Sequence, residues 1–380
     1  MKILNAESMR LVDQVAIEDF GIPSLVLMEN AALGLADAIA QSYPEVRGVA
    51  IFCGPGNNGG DGLALARHLV IRGYHVELVL VTGGKELTGD AGVQLGICQA
   101  QGLRIRELGP EEGIQGCVEA ARRTELVVDA LFGIGLGRPL DGQFAALVQA
   151  LNALPVPRLA VDLPSGLSGS SSKIPGPHLE ADLTVTFGAL KIAHVFPPSA
   201  DSVGEIVVAD LGIPTEIIDQ AEGDLHLLVG EDLSVELVPR AEASHKGDFG
   251  HLVLMAGSSG KAGAAILAAR AAVRSGTGLV TAAVPQDIVQ TVDLGSLESM
   301  SLPLPMAATG GLDASCLGLL FEFLEDKAAL AVGPGLGLAD TTVDVVRLLV
   351  LETGLPVVLD ADGLNAFAGH LDSSSGRPAN

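Results

Sequence analysis

Between an apolar run at 49–53 and a helical pattern from 63, the chain reads Gly54-Pro55-Gly56-Asn57-Asn58-Gly59-Gly60-Asp61-Gly62. A strand that empties through so many glycines toward a helix brings bare backbone N–H groups to the helix N-terminus. Such a place suits a phosphate or another anion. The Lys-Ser/Thr pair with which a P-loop grips phosphate and magnesium is missing, and two side-chain amides and a carboxylate take its place. That set reads a polar ligand and can also meet a cation. Gly54, Gly56 and Gly59 fit GxGxxG, a weak signal in a chain with 48 glycines. The acidic residue of a dinucleotide fold is not at the end of the next strand, because Glu77 lies near that strand's start. Taken alone, the run is also a plain strand-to-helix turn.

Three further runs carry related chemistry. Asp129 ends the apolar segment 126–128 and opens a loop holding Gly133, Gly135, Gly137 and Arg138. Glycines admit close backbone approach to a ligand, and the Arg138 guanidinium offers phosphate a fork of donors. Asp162 ends another apolar strand and leads into Pro164-Ser165-Gly166. Asp129 and Asp162 are thus expected at the same strand ends as Asn57, Asn58 and Asp61. Oxygen donors converging without Cys or His suit a hard cation. Asp162 equally suits proton transfer, if burial raises its pKa toward neutrality. Lys191 follows a fourth strand end, as a partner for Asp162 or for a phosphate. A loop-stabilising carboxylate for Asp129, and solvated charges for Arg138 and Lys191, are the plainer alternatives.

The elements that must position these residues alternate. Two helices fill 5–41, punctuated by Gly21-Ile22-Pro23. Strands are expected at 48–53, 75–81, 125–130, 157–162, 182–187 and 205–209, with helices at 62–72, 89–101, 111–122 and 142–152. Alternation of this kind predicts right-handed βαβ crossovers and a mostly parallel sheet covered on both faces, with ligands beyond the strands' carboxyl ends. A second α/β pattern begins near 250, with a helix at 263–275 and strands at 250–256, 278–284, 328–332 and 356–360. There Gly257-Ser258-Ser259-Gly260-Lys261-Ala262-Gly263-Ala264 resembles a phosphate loop without the Walker hydroxyl. Gly333-Pro334-Gly335-Leu336-Gly337 and Asp360-Ala361-Asp362-Gly363-Leu364-Asn365 follow strands, as in a nucleotide-binding sheet.

At 380 residues the chain has room for two domains with full cores. A net charge of −24 argues against a nucleic-acid or anionic-membrane partner and leaves room for a local basic pocket for one phosphorylated small molecule. Cys53, Cys98, Cys117 and Cys316 are widely spaced, without metal-binding pattern, and read as buried small hydrophobes in a reducing compartment. No secretory signal or membrane-length apolar run is visible, so the expected location is cytoplasmic.

Taken together, these motifs identify a family. GPGNNGGDG at 54–62, DALFGIGLGRPL at 129–140, DLPSG at 162–166, TFGALK at 186–191 and LMENAA at 27–32 make the first 220 or so residues resemble the epimerase domain of NAD(P)H-hydrate repair enzymes. From about 240 onward KGDFGH, GKAGA, GPGLG and DADGLN resemble the fused dehydratase domain. The resemblance implies an α/β fold: a Rossmann-like three-layer αβα domain over 1–220, a linker over 221–238, and part of a ribokinase-like domain over 239–370; the polar residues 371–380 read as a disordered tail. It implies an isomerase and lyase acting on hydrated NADH or NADPH; a homo-oligomer is the separate expectation for its assembly. The epimerase interconverts R and S forms at the hydrated ring carbon, and the dehydratase removes water from the S form with ADP or ATP and Mg2+. Carried over residue by residue, Asn57, Asn58, Gly59, Gly60, Asp61, Gly133, Ile134, Gly135, Leu136, Gly137, Arg138, Pro139 and Asp162 would bind the hydrated dinucleotide. Asn58, Asp129 and Ser165 would ligate K+, and Asp162 and Lys191 would be catalytic. Ala264, Gly335 and Gly337 would bind substrate in the second domain. TPHPGE-like and GTGDVL-like motifs of family dehydratases do not follow DADGLN here, so an incomplete second domain without dehydratase activity is the expectation. A non-catalytic binding module, an NAD-dependent oxidoreductase and, for the second domain, a small-molecule kinase are the competing classes.

Overall fold

The structure is a computed structural model and describes residues 1–109, 113–234, 239–308 and 310–370. The proposed tail at 371–380 lies outside the described residues, as does 235–238 of the proposed linker. The chain divides into two compact units, Met1–Leu237 and Val238–Asn380.

The first unit opens with β1 (Ile3–Leu4), α1 (Ala6–Glu18) and α2 (Ser24–Ser42). Then come β2 (Gly48–Cys53), α3 (Asn57–Ile71), β3 (His75–Leu80), α4 (Gly89–Ala100), β4 (Ile105–Glu107) and α5 (Gly113–Ala121). β5 (Leu126–Ala130), α6 (Gly142–Asn152), β6 (Arg158–Val161) and β7 (Leu183–Phe187) complete the central run. β8 (Leu190–Lys191), α7 (Ile192–Val195), β9 (Glu205–Ala209), α8 (Thr215–Gln220) and α9 (Gly230–Ser234) close the unit.

Seven strands form one parallel sheet in the order β4-β3-β2-β5-β6-β7-β9. Its central strands read as apolar runs because both faces are covered. In β2, Val49, Ile51 and Cys53 join the core shared with α1, α2 and α3, while Ala50 and Phe52 join the core under α5 and α6. Strand order reverses between β2 and β5, and a doubly wound sheet opens its crevice at such a switch point. The Gly54 loop and the loop after Asp129 leave the sheet there. A small parallel pairing, Ile3 with Leu190 and Leu4 with Lys191, ties the N-terminus beside Lys191. Asn5 then caps α1, its side chain accepting from the Ser8 N–H at 2.8 Å.

α3 begins at Asn57, five residues before the expected 62, so most of the glycine run is helix. Gly56 is extended and its carbonyl accepts from Gly60 N–H at 3.1 Å. Glycine inside a helix costs conformational entropy, and here close packing requires it. A Cβ on Gly59 would stand 2.0 Å from the Gly54 carbonyl oxygen.

The second unit contains β10 (His251–Met255), α10 (Ala262–Arg274), β11 (Leu279–Pro285), α11 (Val289–Gly295), β12 (Met300–Leu304) and α12 (Cys316–Leu324). β13 (Ala329–Val332), α13 (Asp340–Glu352), β14 (Val357–Leu359) and α14 (Asp362–Asn365) follow. Its five-stranded sheet is parallel, ordered β12-β11-β10-β13-β14. β12 was not foreseen in the sequence: Pro303 breaks its pattern, and an edge strand tolerates the missing N–H. α10 and α11 cover one face around Ala265, Ala269 and Val292, and α12 and α13 cover the other around Leu320 and Leu349. The class is therefore α/β in both units. All four cysteines are buried. Among the described residues no helix is long and apolar enough to cross a membrane.

Candidate active site

β6 ends at Val161, and Asp162 follows in the left-handed region at φ 64°. Short polar residues tolerate this conformation better than most side chains. The Asp162 N–H still donates to Val185 on β7 at 2.8 Å, so the residue stays anchored while its carboxyl turns inward. Lys191 Nζ donates to Asp162 Oδ1 at 2.8 Å, to Thr186 Oγ1 at 2.7 Å and to the Phe187 carbonyl at 2.9 Å. These three acceptors match the three N–H donors of an ammonium. Thr186 Oγ1 donates in turn to Asp162 Oδ1 at 3.1 Å.

His194, which sequence reasoning missed, holds this pair from behind. Its Nδ1 accepts from Lys191 N–H at 3.0 Å and its Nε2 lies 2.9 Å from the Asp162 carbonyl oxygen. A carbonyl only accepts, so the ring carries its proton on Nε2. The available signal was the i, i+3 spacing of Lys191 and His194 at a strand-to-helix junction. Burial, with the neighbouring Lys191 charge, pushes the His194 imidazole down to about 4, so it stays neutral.

Asp162 does not follow the expectation that burial would raise it toward neutrality. Burial does push its carboxyl up, but the adjacent Lys191 ammonium outweighs this and holds it below the ordinary value. The raised carboxyls are others. Burial lifts Asp13 on α1 to about 6, against the pull of Lys191, and lifts Asp61 on α3 well above the usual range beside Asp162 and Asp13.

A cavity of about 590 Å³ runs along these strand ends. Asn57, Asn58, Asp61, Gly133, Ile134, Gly135, Leu136 and Asp162 line it, joined by Arg10, Asp13 and Lys85. A second hollow, which Lys191 and Asp90 help to line, shares Asp13, Asn57, Asp61, Asp162 and Phe187 with it. Gly133 must be bare, because a Cβ there would stand 2.8 Å from Asn58 Oδ1 and 2.9 Å from Asp162 Oδ2. Other candidates fall elsewhere. Gly59 and Gly60 are buried behind the wall, and Gly137, Arg138 and Pro139 are exposed beyond it. Arg138 faces Asp141 at 3.9 Å with most of its side chain in solvent.

Beside the cavity, Asp129 is fully buried. Its Oδ1 accepts from Ser165 Oγ at 2.7 Å and Leu131 N–H at 3.1 Å, and its Oδ2 accepts from Ser165 N–H at 2.8 Å. Ser165 Oγ also lies 3.2 Å from the Phe132 carbonyl oxygen. Burial lifts the Asp129 carboxyl to about 6 despite the Ser165 hydrogen bonds. The Asn58 amide nitrogen is buried without a hydrogen-bond partner. No group of three His, Cys, Asp or Glu suited to a metal occurs among the described residues. The carboxylate, hydroxyl, carbonyl and amide oxygens nevertheless fit a hard cation, whose charge would relieve the buried carboxylate.

In the second unit, Asp362 Oδ2 accepts from Gly337 N–H at 2.8 Å and lies 3.4 Å from Lys261 Nζ. Ser258 Oγ donates to the Gly335 carbonyl at 2.7 Å. A Cβ on Gly335 would meet that of Ala264 at 2.8 Å. The three candidate residues Ala264, Gly335 and Gly337 thus gather where the loops after β10, β13 and β14 meet.

A buried acid–base pair at the carboxyl ends of parallel strands is the equipment of an α/β enzyme. The chain is 40% identical over 372 residues to the bifunctional NAD(P)H-hydrate repair enzyme Nnr of Moorella thermoacetica, covering 97% of this chain and 70% of that protein. It belongs to this family of bifunctional NAD(P)H-hydrate repair enzymes, which joins an epimerase to a dehydratase domain. The Salinibacter ruber enzyme of the same name is 38% identical over 386 residues, covering 97% of this chain and 71% of its own. Two family models match in succession, YjeF-related protein N-terminus over 24–193 and NAD(P)H-hydrate dehydratase over 252–379. The second match assigns the second half to the dehydratase family and lends no support to an inactive one. Among solved structures, the ADP/ATP-dependent NAD(P)H-hydrate dehydratase of Bacillus subtilis, co-crystallised with ATP/Mg2+, is 27% identical with a TM-score of 0.28, covering 35% of this chain and 45% of its own.

Proposed function

We propose that the cavity of the Met1–Leu237 unit interconverts the R and S forms of hydrated NADH and NADPH, and that Asp162 and Lys191 move the protons. The observation that carries this reading is the buried Asp162–Lys191 pair, 2.8 Å apart, opening on the strand-end cavity. Epimerisation needs no net redox change, only proton transfer and stabilised charge. Asp162, kept ionised by Lys191, serves as the base. The wall built from Asn57, Asn58, Asp61 and the Gly133–Leu136 segment holds the dinucleotide, with Gly59 keeping α3 close to the Gly54 backbone and Gly60 keeping it close to Met28 of α2 and Ala91 of α4. Gly137, Arg138 and Pro139 extend the binding surface beyond the cavity, within reach of the dinucleotide's far end.

Asn58, Asp129 and Ser165 would hold K+, which when bound supplies positive charge beside the cavity. The second unit carries the family's other reaction, removal of water from the S form with ADP or ATP and Mg2+. Ala264, Gly335 and Gly337 line its substrate site. A cytoplasmic setting, where the cofactor pool is used, and a homo-oligomeric state complete the reading.

The test is chromatographic resolution of the two hydrate forms with and without the protein, in potassium and in sodium buffer. Faster equilibration supports the epimerase, and a larger effect in potassium supports the ion. An unchanged rate in both buffers would sink the assignment. Conversion of pure S form to NADH with added ADP or ATP tests the second unit separately.

A further inference from the structure

We propose that Asp13 is the second acid–base residue of the epimerisation, acting in the hollows it shares with the Asp162–Lys191 pair. The inference rests on the epimerase reading and adds a residue that the motifs did not mark.

Hydration of a ring enamine leaves a hydroxyl on the carbon beside the ring nitrogen. Inverting that carbon by dehydration and rehydration takes the hydroxyl off one face and returns it to the other. A protonated group on the first face donates to the hydroxyl. The C–O bond breaks with its electron pair on the departing water, while the nitrogen lone pair closes to C=N. Water then adds from the opposite face and gives its surplus proton to an ionised group there. Atoms and electrons balance, and solvent resets both groups. One side chain cannot stand on both faces, so the chemistry calls for two.

Asp162 and Lys191 come from the ends of β6 and β8. Asp13 comes from α1, which the pairing of β1 with β8 ties to the same place. It lines both the larger cavity and the adjoining hollow together with Asp162 and Asp61. No hydrogen bond or ion pair within 4 Å engages its carboxyl among the described residues, so it has no evident structural task. Lys191 and Asp162 face it from the sheet and Asp61 from α3, while Arg10, Lys85 and Asp90 line other parts of the two hollows. Burial places its carboxyl at about 6, where donor and acceptor forms coexist near neutrality.

The experiment compares the full chain with D13N, D13E and D162N, following equilibration of the two hydrate forms from about pH 4.5 to 8, a range spanning ordinary carboxylate and histidine values. D13N should slow equilibration by about 10²–10⁴-fold while leaving substrate affinity and melting near wild type. The wild-type profile should bend near pH 6, D13N should lose that bend, and D13E should recover part of the rate. A D13N rate within roughly threefold of wild type, far below the loss of an acid–base group, overturns the role of Asp13. It leaves the epimerase reading intact if D162N is slow. Should D13N fail to fold, a wild-type profile without the bend, or D13E with no activity despite native melting, overturns it instead. A wild-type chain that does not speed equilibration removes the epimerase reading itself.

Discussion

Lys191 Nζ lies 2.8 Å from Asp162 Oδ1, and only 1% of the lysine side chain is exposed. Taking both charges out of water is expensive, and the attraction between them compensates only while the remaining donors are satisfied. Here Thr186 and Phe187 satisfy them. Lys191→Met therefore leaves the Asp162 charge buried without its counter-ion and should lower the unfolding free energy by about 3–5 kcal/mol. The Asp162 carboxyl should also move up, because the largest influence opposing burial is then gone. Urea unfolding reads the first effect. The second appears as a base-side shift in the pH dependence of whatever activity survives.

His194 gives a prediction in the acid range. Its pKa falls from 6.5 to about 4 on folding, so the folded state resists a proton that the unfolded chain accepts. The stability tied to a neutral His194 is fully present above 6.5 and is lost as pH falls toward 4. The difference corresponds to roughly 2–4 kcal/mol. Asp13 and Asp129 slope the other way, since their raised carboxyls favour the fold as they take up protons. Total stability therefore mixes both signs, and the His194 part is isolated by difference. The gap in unfolding free energy between wild type and His194→Gln should shrink by roughly 2–4 kcal/mol from pH 7 to 4. A gap constant with pH would show that His194 is not held neutral.

The strand-end residues were legible in the sequence, and those brought in from elsewhere were not. Asp129, Asp162 and Lys191 announce themselves because an apolar run followed by a charge marks the carboxyl end of a buried strand. Asp13 sits in an ordinary amphipathic helix. Long-range ties such as the pairing of Ile3 with Leu190, 187 positions apart, bring that helix to the site. His194 acts through the backbone of Asp162 and Lys191, a contact that no local pattern reveals. The start of α3 was misplaced because glycine reads as a helix breaker, while at Gly59 it answers to a packing constraint. Three-residue β4 is too short to show a period.

That constraint separates two neighbouring glycines. A Cβ on Gly59 would meet the backbone of Gly54, its oxygen at 2.0 Å and its nitrogen at 2.9 Å, and backbone cannot swing aside as a side chain can. A Cβ on Gly56 would meet nothing within 4 Å. Gly59→Ala should cost at least about 1–3 kcal/mol, the range for overpacking, and pull α3 away from the cavity wall. Gly56→Ala should cost under about 1 kcal/mol, the loss of a favourable helix cap. Thermal melts of the two variants side by side check the contrast, and equal losses would contradict the packing argument.

The proposed potassium ligands predict a dependence on which salt is present, beyond ionic strength. A cation held by the fold and not by the unfolded chain stabilises by RT ln(1 + [K+]/Kd), about 2.7 kcal/mol at a hundred times Kd. For a unit of this size that corresponds to a rise of about 5–10 °C in melting temperature. Equal ionic strengths of potassium and sodium chloride screen surface charge alike. A difference between them therefore reports a site. Asp129→Asn should lower stability in both salts, because an amide cannot accept the Ser165 and Leu131 hydrogen bonds now spread over two carboxylate oxygens. Its diagnostic effect is the disappearance of the difference between the salts. Asn58→Ala tests the same site from α3, and removes the amide whose nitrogen is buried without a partner. Identical melting of the wild type in the two salts would leave Asp129 and Ser165 as a hydrogen-bonded loop clamp and remove the ion from the reaction.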